Sequence, residues 1–166
     1  RSDQVVPKEL LWKDTPKNRM NDVDWLLEVI DWDLNLDPDF VRNRFMQPRP
    51  VRPLDQMKAQ GYIENWICYK SDAFSAKELT VLPGTTVTIT DHAAYGLIMM
   101  QGHGTMGVWE IETPTLIRYG QLTHDEYFVS EAAAKAGVKI SNPSRTDPIV
   151  MLKHFGPGNP DLNVSA

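Results

Sequence analysis

At 166 residues and a formal charge of −5, with both signs spread along the chain, the sequence is the size of one ordinary domain. It is long enough to bury a core and too short for two complete catalytic domains. No basic stripe is present to hold phosphates, which sets aside nucleic acid and anionic membrane as partners, and no apolar run nears the roughly 20 residues that span a bilayer. Cys68 is the single cysteine, so an internal disulfide and a metal–thiolate cluster are excluded, and its strand-like surroundings read as those of a buried structural thiol.

The N-terminus, RSDQVVPKEL, has neither the h-region nor the cleavage pattern of a signal peptide, and a cytoplasmic location is expected. The chain opens on Arg1 without an initiating Met, as expected of a processed product or a piece of a longer polypeptide. Residues 1–60 are rich in Pro, Asp and Arg and read as a helical, Pro-rich segment packing on the β-rich remainder of the chain. Within it Val23, Leu26, Leu27 and Ile30 fall at i, i+3, i+4 and i+7 after Asn21 as the cap, the spacing of an amphipathic helix. Trp25, Val29 and Trp32 widen its apolar surface. DPDFVRNRF then predicts a second helix with Asp37 as N-cap and Pro38 at the first helical position, ending before Pro48. QPRPVRP reads as an extended connector, because alternate prolines fix φ and push their predecessors out of the helical region.

Residues 61–157 have a different texture. NWICYK, SAKELTVLP, TTVTITDH, YGLIMMQG, TMGVWEIE, TLIRYG, EYFVS, VKIS and IVMLKHF are strand-length, rich in β-branched and aromatic residues, and separated by turn residues that include a Gly-His-Gly turn. Such a series predicts a sandwich or barrel. One helix interrupts it: Ser130 caps EAAAKA, Glu131 and Lys135 are spaced i, i+4, and Gly137 ends the turn. Residues 158–166 read as a loose C-terminal tail.

Along Thr86, Thr88, Thr90 and His92 one strand face is polar, while Val87 and Ile89 make the other. Either the polar face lines a wet pocket for a hydroxylated ligand, or it faces solvent and the aliphatic face fills the core. Lys153 and His154 are neighbours on the last strand, so only one of the two looks into a barrel. His103 and His124 fall in loops, and the carboxylates of EIE and HDEY read as solvent-facing. No nucleophile elbow, phosphate-cradling loop or His-Glu-x-x-His motif is present.

Pro83-Gly84 before a strand, a strand ending IMMQG, then LIRYGQ, DEYFV, Asn142 and a closing IVMLKHFGP strand resemble, over Asn65 to Pro157, the cupin superfamily. The resemblance implies a mainly β fold, a double-stranded β-helix or jelly-roll barrel with a short helical N-terminal segment, and it leaves function open. In metal-binding members the resemblance would place the four ligands at Thr90, His92, Tyr95 and Val138, of which only His92 is a metal-binding residue type. A lone imidazole does not hold zinc or iron, so no metal or other cofactor is expected in this chain, with His92 as the one weak candidate. Thr88, Thr90, His92 and Tyr95 are the ligand-pocket candidates, and no catalytic residue is assigned.

TPKNRMNDVDWLLEVIDW resembles the segment leading into the C-terminal cupin domain of class I mannose-6-phosphate isomerases. That implies one half of a sugar-phosphate aldose–ketose isomerase, with zinc or another divalent metal in an upstream domain and a sugar or sugar phosphate as ligand. The family's Arg-Ala-Gly-Leu stretch is Leu11-Trp12-Lys13-Asp14 here, so the arginine that meets substrate is missing. Two expectations stand side by side. In one the chain is the cupin half of an isomerase-like enzyme, inactive alone and joined to an upstream cupin domain or a second subunit. In the other it is a metal-free, non-catalytic cupin module that binds a carbohydrate or a protein partner, with a dimer as the expected assembly.

Overall fold

The structure, a computed structural model, describes Pro7, Leu10 and residues 12–115, 119–120 and 122–162. It divides the chain into two units, Arg1–Phe45 and Met46–Ala166. Leu11 and three residues of the TLIRYG strand, Leu116, Ile117 and Arg118, lie outside the described set.

The described residues of the first unit include a 3₁₀ turn, Lys17–Arg19, and the short helices α1 (Val23–Glu28), α2 (Trp32–Asn35) and α3 (Phe40–Arg44). The cap of α1 is Asp22 and not Asn21: Asp22 Oδ1 accepts from Trp25 N at 3.0 Å, and Asn21 takes a left-handed φ of 66° one residue earlier. Helix α2 goes beyond the two helices that the spacing predicts, and Asp31 caps it by accepting from Leu34 N at 3.0 Å. Helix α3 starts after Asp39, because Asp37 spends its carboxylate on Asp39 N (2.8 Å) and Asn43 Nδ2 (3.1 Å). The N-cap expected at residue 37 thus falls two positions later, at Asp39, which makes no side-chain cap hydrogen bond.

The second unit begins with β1 (Arg49–Pro50), so the prolyl connector is extended, and it pairs with β2 (Tyr62–Cys68). Pro53 then opens α4 (Leu54–Ala59), which sends Met57 fully into the core. The remaining strands are β3 (Ser75–Val81), β4 (Thr86–Ile89), β5 (Tyr95–Met106), β6 (Trp109–Thr113), β7 (Glu126–Val129), β8 (Val138–Ser141) and β9 (Ile149–Phe155). Helix α5 (Glu131–Ala136) is capped by Ser130, whose Oγ accepts from Ala133 N at 3.3 Å, and is ended by Gly137 at φ 96°.

All the pairings among the described residues are antiparallel, and β5 makes the architecture. Its first half pairs with β9 and β7, continuing the row β1-β2-β3-β9; its second half pairs with β6 and β8, and β8 carries β4. One strand thus belongs to both sheets. The register shifts between Met99 and Gln101, and Gly102 at φ 91° packs where an added Cβ would lie 2.7 Å from Pro148 O. The Gly-His-Gly segment read as a turn is in fact this crossing, inside β5, and the turn falls at Gly107 instead.

Strand alternation delivers one core from both sheets, with Leu79, Val81, Met151 and Ile149 from one and Val87, Ile89, Ile140 and Ile111 from the other. The result is a mainly β fold of two antiparallel sheets that share β5.

A candidate site at the charged end of the barrel

Three of the inward rows that build the apolar core carry one charged residue each. On β3 the row Ser75, Lys77, Leu79, Val81 is buried throughout; on β9 it is Ile149, Met151, Lys153, Phe155, and on β2 Tyr62, Glu64, Trp66. Lys77 and Lys153 are register partners across the β3–β9 ladder, an arrangement that repels unless anions answer it.

Two carboxylates do so. Asp91 continues the buried parity of Val87 and Ile89 just past β4, is fully buried, and is held by its backbone N–H donating to Ala134 O of α5 at 3.2 Å. Lys77 Nζ donates to Asp91 Oδ1 at 2.6 Å and Lys153 Nζ to Asp91 Oδ2 at 2.7 Å. Glu64 Oε2 lies 3.9 Å from Lys77 Nζ, and Glu64 Oε1 makes a close ion pair with Lys153 that is not aligned as a hydrogen bond. Two ammonium groups and two carboxylates leave the cluster neutral.

Aromatic faces complete the lining. Lys77 Nζ lies 4.6 Å from the Trp66 ring centre and 5.2 Å from that of Phe155, and Lys153 Nζ lies 5.2 Å from that of Tyr95. Burial alone would raise the Asp91 carboxyl, but Lys153 and Lys77 outweigh it and hold it below its ordinary value. Burial would lower the Lys153 ammonium, but Glu64 and Asp91 outweigh it and push it up. The Tyr95 phenol is raised to about 12, chiefly by burial.

The four pocket candidates end in different places. Thr88 and Thr90 face outward, so the threonine row is the solvent side of the strand and the aliphatic row fills the core. His92 is outward too, with Nδ1 2.6 Å from Asp161 Oδ1 and its backbone N–H donating to Asp161 Oδ2 at 2.9 Å. Tyr95 is buried, above Lys153. A cavity of about 170 Å³ brings Thr90 and His92 together with Glu64, Trp66 and Lys77, and Arg52 and Asp161 border it as well. A wider, more open cleft of about 590 Å³ on the other side of His92 brings it to Tyr95, Phe128, Glu131, Lys135 and His154. Val138 is half-buried at the start of β8.

The residues that sequence reasoning missed are Lys77, Asp91 and Glu64. In the C-terminal segment Asn159 Nδ2 donates to Ser75 Oγ at 3.3 Å, and Asp161 N to Asn159 Oδ1 at 3.0 Å. Cys68 is half-buried, and burial raises its thiol.

The donor set does not fit a divalent metal. Among the described residues no three His, Cys, Asp or Glu side chains converge, and the two inward carboxylates already face two ammonium groups that would repel a further cation. No helix among the described residues is long and apolar enough to cross a membrane.

No protein-family model matches the chain, and no curated protein matches its sequence. Among solved structures it is similar to a cupin-2 domain protein from Rhodospirillum rubrum at 11% identity and a TM-score of 0.41, over 58% of this chain and 60% of that one. The chain thus spans about three fifths of that relative. An RmlC-like cupin from Shewanella frigidimarina matches at 13% identity and a TM-score of 0.44, over 71% of this chain and 94% of that one. The polyketide cyclase RemF from Streptomyces resistomycificus matches at 9% identity and a TM-score of 0.43, over 61% and 68%.

Proposed function

We propose that the barrel is a metal-free binding module for a small, neutral, polyhydroxylated molecule, the carbohydrate class, held in the cavity beside Lys77. The observation that carries this reading is the cavity's lining. Carboxylates of Glu64 and Asp161 accept from hydroxyl groups, the Thr90 hydroxyl both donates and accepts, and the Trp66 indole offers an apolar face. Its volume of about 170 Å³ equals roughly five or six waters, the scale of a small sugar or polyol.

Charge argues for a neutral ligand. Arg52 and Lys77 supply two positive charges at the wall and Glu64 and Asp161 two negative ones. A phosphate would find no net positive field there, so the sugar phosphate suggested by the isomerase resemblance is the less favoured ligand. The second reading, the cupin half of a sugar-phosphate isomerase, rests on the Thr15-Pro16-Lys17 to Asp31 segment.

Ligand-observed NMR with erythritol, ribose, mannose and mannose 6-phosphate separates the two. Saturable binding of a neutral member, weakened in Thr90→Val, is the expected result. Binding of mannose 6-phosphate alone would replace this reading with the isomerase one.

A further inference from the structure

The binding reading uses the cavity wall but leaves the lysine pair behind it unexplained. A charged cluster of this depth is costly, since each ion loses its hydration, and well-packed apolar side chains would close the barrel as stably or more so. The two lysines are also unequal. Lys153 is fully buried and does not line the cavity, whereas Lys77, buried but slightly more accessible, forms part of its wall.

We propose that Lys77 is a nucleophilic amine that forms an iminium with the carbonyl group of a small hydroxyaldehyde or hydroxyketone in this cavity. The inference rests on the cavity being a ligand site and names the reacting group of that ligand.

Three features of the geometry carry it. Lys77 Nζ shares the Asp91 carboxylate with Lys153 at 2.6 and 2.7 Å, which fixes the nitrogen in place at the cavity wall. The Trp66 and Phe155 rings, 4.6 and 5.2 Å from Nζ, give the amine apolar walls. Glu64 Oε2 stands 3.9 Å from Nζ on the cavity side, with no hydrogen bond to another described side chain at its Oε1. It is the group placed to take and return a proton.

The step balances without metal or redox partner. The Lys77 ammonium gives one proton to Glu64, and the freed nitrogen lone pair forms a bond to the carbonyl carbon while the carbonyl π pair moves to oxygen. The oxygen takes up the second ammonium proton to give a neutral carbinolamine. Glu64 then returns its proton to that hydroxyl, the C–O bond breaks, and water leaves. One ammonium and one carbonyl become one iminium and one water, with Glu64 unchanged.

Reductive trapping tests this on the intact chain. The protein is incubated briefly with glycolaldehyde and sodium cyanoborohydride, digested, and mapped by mass spectrometry. The expected result is a hydroxyethyl adduct on Lys77 formed ahead of any on exposed Lys135 and Lys139, and lost in Lys77→Arg, which keeps the charge but not the nucleophile. Adducts on Lys135 and Lys139 with none on Lys77 would overturn it, and that reading of the wild-type map stands even if the variant does not fold. Erythritol, hydroxylated but without a carbonyl, reads the cavity separately by ligand-observed NMR. Erythritol binding without a Lys77 adduct sinks the iminium and leaves the binding module; neither signal sinks both.

Discussion

Lys153 Nζ lies 2.7 Å from Asp91 Oδ2, and both side chains are fully buried. An ion pair of this kind stabilises little over an apolar pair, but removing one member strands the other in a low dielectric. Lys153→Met leaves Glu64 and Asp91 facing Lys77 alone, one carboxylate in excess. The expected loss is about 3–5 kcal/mol in urea denaturation. Adding Glu64→Gln removes the excess charge and recovers part of it. A loss below about 1 kcal/mol for Lys153→Met would show that the network closes without Lys153.

The same groups set the pH dependence of stability. Asp91 is held below its ordinary 3.8, so its contribution is complete above that value and is lost as pH falls through the folded one. Lys153 is raised above 10.5, so its contribution is complete below that value and is lost as pH rises through the folded one. Tyr95, raised from 10.0 to about 12, adds to the alkaline loss, because the unfolded chain ionises its tyrosine first. A plateau across roughly pH 4 to 10 is expected from these groups, with Tm falling on both sides. A steady fall in Tm from pH 9 to pH 5 would contradict it.

Parity decides how much of this is legible in the sequence. Val87 and Ile89 announce an inward row, and the next residue of that row is Asp91; the familiar ligand type, imidazole, belongs to its outward neighbour His92. Lys77 and Lys153 likewise sit two residues from Leu79 and Met151 in rows that are otherwise largely apolar. The alternation therefore held the inward assignment of all three. What it lacked was the pairing: nothing local says that β3 lies against β9 or that Asp91 reaches both, because those relations span 14 and 62 residues of chain. The Gly-His-Gly segment misleads for a related reason. Glycine there serves a close approach between strands, and in sequence such a glycine looks like one in a turn.

That approach makes a prediction of its own. A Cβ on Gly104 would lie 2.2 Å from Ser141 O and 2.7 Å from Ile149 Cδ1, so alanine forces two strands apart where β5 joins the sheets. Gly104→Ala should cost about 2 kcal/mol or more. Gly107, in open space with φ 61°, pays only for its left-handed backbone, about 1 kcal/mol as alanine. Thermal denaturation of the pair checks the order. Equal losses would mean that the strands accommodate a methyl group at the crossing.

His92 and Asp161 join the end of β4 to the C-terminal segment by two contacts, at 2.6 and 2.9 Å, with the His92 side chain more than half exposed. Screening by water keeps such a surface pair under about 1 kcal/mol, so global stability should hardly move in Asp161→Ala. The local effect is different. Asp161 is the point at which residues 156–162 return to the barrel, and it also lines the cavity. Among the described residues, its loss leaves the Asn159–Ser75 side-chain hydrogen bond, at 3.3 Å, and the packing of Leu162 on the core to hold that segment. Amide exchange across residues 156–162 should quicken while that of β3 and β9 stays unchanged. His92→Ala keeps the backbone contact to Asp161 and should give a smaller acceleration. Unaltered exchange in both variants would mean that the segment is held by its own turn and not by the clasp. It would then remove the clasp as a determinant of access to the Lys77 cavity.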